Sequence, residues 1–290
     1  MSLSDPAVLC CAISGALADR DQCPAIPYKP EEYAAEARRI VDEGGVHIHI
    51  HARHPDGTPS QEIEDYLAIK EAIAGEIGDA AIINFSTGTV GVSVEKRIAY
   101  LEAGLPEVAA VNMGSMNYAK YSERRKSFVF EMVFANPMEE IRELLEAMRR
   151  LGIKPEHECF DLGHVATLDP FVDMGLLDAP LHADFVMGVV GGVPATARNL
   201  AAMAENLPAG DHHWGVIGIG RVQWPMISAA ISLGGSVRVG LEDNFYLPGG
   251  EMASSNGDLV ATARGLIENS GRRPATVAEA RARLGIIPRG

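Results

Sequence analysis

Residues 46–53 have the sequence VHIHIHAR, and this stretch decides which fold is predicted. Side chains alternate along a β-strand, so His47, His49 and His51 share one face while the apolar residues occupy the other. The apolar face would pack against surrounding helices, so the histidine face would line the interior of a closed sheet. The pattern therefore predicts a barrel strand whose C-terminal end presents His49 and His51 together.

Similar short apolar runs recur along the chain and alternate with amphipathic stretches. Strands are predicted at residues 8–14, 46–52, 81–86, 108–113, 157–161, 184–190, 213–218 and 236–240. Helices are predicted near residues 30–43, 60–77, 93–103, 137–151, 167–177, 194–206, 223–233 and 256–269. Eight parallel βα units over this length favour a closed (β/α)₈ TIM barrel, in one domain covering residues 1–290, over an open doubly wound sheet.

One segment does not fit this alternation. Residues 115–135 include the additional apolar run FVFEMVF. We predict a long loop after the fourth strand, with an inserted strand as the alternative.

The composition limits the classes of partner. The formal net charge is −14, which argues against a nucleic-acid-binding surface because such a surface needs a basic stripe. No apolar run reaches membrane-spanning length, and the N-terminus lacks the pattern of a signal peptide. The four cysteines have no C-x-x-C spacing, as expected for free thiols in a reducing compartment. We expect a cytoplasmic protein that acts on small molecules.

The last predicted strand supplies the second half of a predicted metal site. In SVRVGLED (236–243), Arg238 and Glu242 share a face, and inward-pointing charges are costly unless they are paired or bound to metal. The second and eighth strands of a barrel both flank the first, so Glu242 can converge with His49 and His51 on one ion. Two imidazoles, one carboxylate and an open position form a catalytic zinc arrangement. The alternative is a set of hydrogen-bonded polar residues in the barrel.

The other histidines are predicted to be structural. His47 would lie one layer deeper than His51, too far away to share the same ion. His164 follows the fifth strand and is the one candidate for a supporting role at the barrel mouth. The remaining structural histidines are His54, His157, His182, His212 and His213.

Several long, ordered segments resemble those of the β-keto acid cleavage enzymes. They are HIHARHPDGTPS (49–60), NFSTG (84–88), VNMGSMNY (111–118), ECFDLGH (158–164), GVVGGVPAT (188–196), IGIGRVQWP (217–225) and GGSVRVGLEDNFYLPGGEMASSN (234–256). The resemblance covers nearly the whole chain. It implies a zinc-containing, homotetrameric barrel that converts a β-keto acid and acetyl-CoA into acetoacetate and a new CoA thioester.

The resemblance also implies roles for individual residues. The metal ligands would be His49, His51 and Glu242, in agreement with the strand pattern. Asp243 and Arg238 match an acid–base and carboxylate-handling pair. The remaining matches are Ser86 as a catalytic hydroxyl, Glu158 as a supporting acid, and Gly114 and Ser115 as substrate contacts.

The loop after the first strand departs from the family pattern. It reads Ser14-Gly15-Ala16-Leu17, where the enzyme acting on 3-keto-5-aminohexanoate carries an acid in place of Leu17. That acid would pair with the substrate's ammonium group, and Leu17 cannot. We therefore expect a substrate with an uncharged tail, in a pocket that Cys23 and Tyr28 help to shape.

The implied chemistry breaks the bond between C2 and C3 of the β-keto acid. We expect Asp243 to remove a C2 proton while Arg238 keeps Asp243 ionised and oriented; the alternative for Arg238 is a structural ion pair. Gly218–Arg221 (GIGR) follows the seventh strand, where barrels often bind phosphate. It could contact a CoA phosphate or form a tight turn with a surface arginine.

Two other functions remain as alternatives. A zinc hydrolase of the amidohydrolase type also carries H-x-H at a strand end, but on the first strand rather than the second. A non-catalytic metal- or ligand-binding barrel would not require an ionisable Asp243 beside a metal ligand. Dependence on acetyl-CoA separates the predicted transferase from both.

Overall fold

A closed barrel of eight parallel strands forms the centre of the protein, in a computed structural model that describes residues 2–287. The barrel strands are β1 (Leu9–Ala12), β2 (His47–Ile50), β3 (Ile82–Ser86), β4 (Val108–Asn112), β7 (Lys154–Cys159), β8 (His182–Met187), β9 (His213–Gly218) and β10 (Ser236–Val239). Two further strands, β5 (Met116–Ser122) and β6 (Ser127–Phe134), lie outside the barrel.

Helices separate the strands and confirm the predicted TIM barrel. They are α1 (Pro30–Asp42), α2 (Ile63–Ile77), α3 (Val94–Gly104), α4 (Met138–Leu151), α5 (Leu162–Ala166), α6 (Leu168–Asp173), α7 (Ala197–Glu205), α8 (Gln223–Ser232), α9 (Asn256–Asn269) and α10 (Val277–Leu284), with a 3₁₀ turn at Gly220–Val222. The one helix predicted near 167–177 is replaced by α5 and α6, and α10 was not predicted.

The strand order places the two halves of the predicted metal site together. β1 pairs in parallel with both β10 and β2, so Cys10 lies opposite Arg238 on one side and His47 on the other. Ala12 lies opposite His49. The C-terminal ends of β2 and β10 therefore lie on either side of β1, as the sequence analysis predicts for the metal site.

The strands are buried on both faces. In β2, Ile48 and Ile50 belong to the main hydrophobic core, while His47 and His49 on the other face are also buried. Helices cover the outer face of a parallel barrel, and side chains fill its interior. Polar residues on the inner face therefore have no access to bulk water and need partners of their own.

The long loop predicted for residues 115–135 is wrong, and the alternative of an inserted strand is closer to the structure. This segment forms an antiparallel hairpin in which Met116 pairs with Phe134 and Ser122 pairs with Ser127. β5 contacts the loop after β8 through a bridge between Ala119 and Val190. The hairpin therefore leans over the C-terminal ends of the barrel strands.

Two further expectations concern helices and thiols. None of the helices among residues 2–287 is long and apolar enough to cross a membrane. All four cysteines are free and buried, and Cys10 and Cys11 pack within β1 as predicted.

Candidate active site at the carboxyl ends of the strands

The three predicted metal ligands lie together at one edge of the barrel mouth. His49 Nε2 is 3.7 Å from Glu242 Oε2, and His51 Nε2 is 3.4 Å from Glu242 Oε1. Their ligand atoms all lie within 4.8 Å of one another. Both ring nitrogens of His49 and Oε2 of Glu242 are buried without a hydrogen-bond partner among the described residues. Unpaired buried ligand atoms of this type fit a bound Zn²⁺.

The loop after β1 packs directly on this group. Gly15 has a φ of +60°, and a Cβ at this position would lie 2.7 Å from Cγ of Glu242. Arg53 holds the loop by donating hydrogen bonds to the carbonyl oxygens of Ser14 at 3.0 Å and Gly15 at 2.9 Å. Glycine is therefore required where the loop crosses Glu242, and Arg53, which sequence analysis left unassigned, fixes that crossing.

Arg238 connects three carboxylates at the barrel centre. Its Nε and Nη2 each donate to Asp243 at 3.0 Å, Nη1 donates to Glu158 at 3.0 Å, and Nη2 also donates to Glu242 at 2.9 Å. The predicted pair of Arg238 and Asp243 is therefore present and bidentate. We refer to one group as the rim cluster: His49, His51, Glu158, Arg238, Glu242 and Asp243.

The carboxylates of the rim cluster differ in acidity. Burial raises the pKa of Asp243 to about 6, although Arg238 acts in the opposite direction. Burial also raises the pKa of Glu158 to about 8 against the effect of Arg238. Burial acts to raise the pKa of Glu242 as well, but His51 and Arg238 hold it well below its usual range. Three neighbouring acids thus span a wide range of proton affinity.

The other predicted residues occupy different parts of the rim. Ser86 is buried at the end of β3, and its hydroxyl accepts a hydrogen bond from the Gly88 N–H at 3.1 Å. Ser115 is exposed, and its hydroxyl accepts from the Asn136 N–H at 2.7 Å. Leu17 is 66 % exposed. The structure therefore brings Ser86 into the barrel mouth and leaves Ser115 and Leu17 at its outer edge.

Residue 114 must be glycine because the His164 ring lies directly against it. A Cβ at Gly114 would lie 2.5 Å from Cδ2 of His164, whose Nδ1 accepts a hydrogen bond from the Phe160 N–H at 3.2 Å. His164 therefore packs behind the chain at Gly114, close to the mouth where sequence analysis placed it.

Tyr118 lies in the hairpin beside the barrel mouth and was not assigned a role from the sequence. It lies on β5, and burial together with the nearby charges of Glu242, Asp243 and Glu158 raises its pKa to about 12. Its ring stacks on Phe130 of β6, with the centroids 5.7 Å apart. It is the last residue of the family-like segment VNMGSMNY (111–118), but it received no role because residues 115–135 were predicted to form a loop.

A second group of polar residues fills the barrel interior beneath the site. Glu156 Oε2 is 3.7 Å from His49 Nδ1, on the opposite side of the imidazole from Glu242, and it accepts a hydrogen bond from Asn84. The two ring nitrogens of His49 therefore face different carboxylates: Nδ1 faces Glu156 and Nε2 faces Glu242. We refer to this second group as the deep cluster: His47, Glu156, His182, Asp184 and His213.

The acids and histidines of the deep cluster contact one another without an arginine or lysine among them. His182 Nε2 is 3.1 Å from Asp184 Oδ2 and 3.8 Å from Glu156 Oε1. Burial and Glu156 raise the pKa of Asp184 to about 7, and burial lowers the pKa of His47 to about 3. His47, Glu156 and His182 also bring ligand-type atoms within 4.8 Å of one another. The alternation Glu156-x-Glu158 was the sequence signal for an inward-facing acid at this depth, and it went unused.

The fold and the rim cluster together define a TIM-barrel enzyme with a metal-ligand set at the mouth. A profile of the family described as beta-keto acid cleavage enzyme matches residues 6–286. The chain is 36 % identical over 274 residues to 3-keto-5-aminohexanoate cleavage enzyme of Fusobacterium nucleatum, covering 94 % of this chain and 96 % of that one. It therefore belongs to the β-keto acid cleavage enzyme family, which confirms the resemblance found in the sequence.

Two further comparisons extend this result. The chain is 33 % identical over 302 residues to 3,5-dioxohexanoate:acetyl-CoA acetone transferase of Paraburkholderia graminis, covering 98 % of this chain and 97 % of that one. The apo structure of ObcA matches with a TM-score of 0.75 at 20 % identity, covering 91 % of this chain and 66 % of ObcA. This chain therefore spans about two thirds of the length of ObcA, and at this identity the similarity shows a common barrel fold.

Proposed function

We propose that the protein is a zinc-dependent transferase that converts a β-keto acid and acetyl-CoA into acetoacetate and a new acyl-CoA. The observation that carries this proposal is the position of Glu242, which lies between the histidine pair and Arg238 and is followed in sequence by Asp243. A metal-ligand set and a proton acceptor of near-neutral pKa thus share one arginine.

His49, His51 and Glu242 would hold the zinc. When bound, zinc supplies a Lewis acid that stabilises negative charge developing on the substrate's ketone oxygen. Zinc binding to His49 would break no hydrogen bond, because neither ring nitrogen has a hydrogen-bond partner among the described residues.

Asp243 is the proposed base. With a pKa of about 6 it is ionised near pH 7.5, and it can return the same proton later in the cycle. Arg238 holds both oxygens of Asp243 and therefore fixes the direction of its lone pairs. The C2 carbanion attacks the acetyl carbonyl of acetyl-CoA and displaces the CoA thiolate. The thiolate adds to C3, the C2–C3 bond breaks, and acetoacetate takes the proton from Asp243.

The remaining residues orient the substrate in this proposal. Ser86 and the backbone at Gly114 would hydrogen-bond the acid, and Glu158, with a pKa of about 8, would be a second proton-carrying group beside Arg238. Ser115 retains its hydroxyl proton as a donor, since its oxygen is the acceptor for Asn136. Leu17 offers no partner for a cationic tail, so an uncharged substrate tail is expected.

The test is a panel of β-keto acids incubated with acetyl-CoA, with mass detection of acetoacetate and of each new thioester. We expect turnover of acids with uncharged tails, weak turnover of the 5-amino acid, and one zinc per chain by elemental analysis. Turnover that does not depend on acetyl-CoA would indicate a hydrolase. Binding of metal with no product from any acid would indicate a non-catalytic barrel.

The assembly state is a separate part of the proposal. The family resemblance predicts a homotetramer, and light scattering on the purified protein measures it directly. A monomer with full activity would show that the site is complete within one chain.

A further inference from the structure

The turn of the β5–β6 hairpin carries an unusual concentration of positive charge. Residues 120–126 (KYSERRK) contain four basic residues and one acidic residue, in a chain with a formal net charge of −14. The basic residues are all exposed, and none forms an ion pair with a carboxylate among residues 2–287: Lys120, Arg124, Arg125 and Lys126. We refer to these four residues as the basic turn.

Most other arginines of the protein have a carboxylate partner. Arg281, for example, contacts Asp79 and Glu107, and Arg149 and Arg150 at the end of α4 pair with Asp178 and Glu102. Pairing of this kind is the ordinary use of a surface arginine in an acidic protein. The basic turn therefore has charge available for an anionic ligand.

The inner face of β5 leads from the rim cluster to the basic turn. Met116, Tyr118 and Lys120 share one face of the strand because side chains alternate, and Met116 and Tyr118 pack against a cluster at the carboxyl ends of β7, β8 and β9 that includes Phe160 and Val186. β5 continues from Tyr118 to Ser122, roughly 13 Å of extended strand, and the turn that carries Arg124 begins at the next residue. The hairpin is held over the barrel mouth by the bridge between Ala119 and Val190.

We propose that the basic turn binds the nucleotide phosphates of CoA. This inference rests on the proposed function, which requires the acetyl carbonyl of acetyl-CoA to reach the carbanion formed beside Asp243. The thioester and the phosphates lie at opposite ends of CoA, joined by an extended pantetheine arm, so the phosphates must contact the protein at a distance from the rim cluster. Arginine donates bidentate, charge-assisted hydrogen bonds to phosphate, and two adjacent arginines lie in the turn beyond the end of β5.

Arg221 is the other basic residue considered for this role. It follows β9 in the GIGR turn, and its guanidinium lies over the Tyr246 ring, 5.7 Å from the centroid. It contributes one charge that already contacts an aromatic ring, whereas the basic turn contributes four. The structure therefore favours the hairpin, and Arg221 provides a comparison variant.

The experiment compares two thioesters and three variants. Arg124→Ser/Arg125→Ser removes two charges from the basic turn, Arg149→Ser/Arg150→Ser removes two at the far end of α4, and Arg221→Ser tests the other position. Each is assayed with acetyl-CoA and with acetyl-pantetheine, which lacks the nucleotide. We expect the KM for acetyl-CoA to rise roughly tenfold or more in the hairpin variant alone, as for lost charge-assisted hydrogen bonds. The kcat and the kinetics with acetyl-pantetheine should be unchanged.

A binding measurement keeps this inference separate from the proposed function. Calorimetry with adenosine 3′,5′-bisphosphate should show binding that weakens with salt and is lost in the hairpin variant but retained in the α4 variant. This result would support the basic turn even if the wild type cleaved no β-keto acid, a failure that would overturn only the proposed function. An equal rise in KM for both thioesters, a larger effect in Arg221→Ser, or a change in oligomeric mass with unchanged KM would overturn the inference.

Discussion

The rim cluster and the deep cluster are built from the same residue types but differ in how their charge is balanced. In the rim cluster, Arg238 provides a permanent positive charge to three carboxylates, and Glu242 keeps one oxygen without a hydrogen-bond partner. In the deep cluster, burial and Glu156 raise the pKa of Asp184 to about 7, burial lowers that of His47, and no arginine or lysine belongs to the group. The comparison shows that buried histidines and acids alone do not identify a catalytic site. In this barrel the candidate site is the group that also contains an arginine and metal-ligand atoms without hydrogen-bond partners, at the mouth.

The sharpest test of this difference is Asp243→Asn. The amide retains the shape of the side chain but cannot accept the C2 proton, so turnover should fall by about 10²–10⁴-fold while zinc content stays unchanged. Product formation by mass detection and elemental analysis measure the two effects. Loss of zinc in this variant would show that Asp243 also serves the metal, which would remove the separation of roles within the rim cluster.

Arg238→Met should show the largest loss of stability. It leaves Asp243, Glu158 and Glu242 without their cation in a buried setting, which costs about 3–5 kcal/mol when one partner of a buried pair is removed. Urea unfolding of the metal-free protein measures the free energy of unfolding. A loss below about 1 kcal/mol, the range of an exposed pair, would show that solvent rather than Arg238 balances these acids.

Glu156→Gln tests whether the two clusters are coupled through His49. Glu156 faces Nδ1 of this imidazole, so it can fix the ring with Nδ1 protonated and Nε2 free for metal. We expect zinc affinity to fall about 10–100-fold, as for other carboxylates that support a ligand histidine. Competition with a chelator measures the affinity, and Glu62→Gln on the surface is the matched control. Unchanged affinity would make the deep cluster purely structural.

Asp184→Asn should have little effect on stability at acidic pH and a growing effect as the pH rises. The pKa of Asp184 is raised in the folded protein to about 7, so its contribution to stability is present at acidic pH and is lost as the pH rises towards 7. The amide resembles the protonated acid at every pH. The free energy of unfolding of the variant should therefore rise relative to that of the wild type between about pH 4 and pH 7, by no more than about 1.4 kcal/mol per pH unit, and the difference should stay constant above pH 7. A constant difference across this range would show that Asp184 does not titrate.

The sequence predicted the rim cluster better than the deep cluster for a physical reason. The alternation in 46–53 and 236–243 is local, and the barrel topology then determines that the two strand ends meet across β1. The alternation of Glu156 with Glu158 indicates an inward-facing acid, but it does not show which side of His49 Glu156 approaches. That approach is set by the packing of β7 against β4 and β8, which the sequence pattern does not specify.

The hairpin was missed because its turn lacks the residues that usually mark one. Two-residue hairpin turns favour Asn-Gly or Asp-Gly, whereas this turn runs through Glu123 to Lys126, and Lys126 adopts a φ of +52° without being glycine. The exposed apolar run of β6 also lacks the regular alternation of a half-buried strand. Tyr118 and the basic turn were consequently left outside the predicted site.

The hydrogen bonds that Arg53 donates to the loop after β1 have a consequence for which residues of that loop can vary. Its guanidinium donates to main-chain carbonyls at Ser14, Gly15, Ala18 and Gly57, and none of these bonds depends on a side chain of the loop. Positions such as Leu17 can therefore mutate freely while the path of the loop over Glu242 is preserved. Sequence changes at such positions therefore leave the geometry of His49, His51 and Glu242 in place.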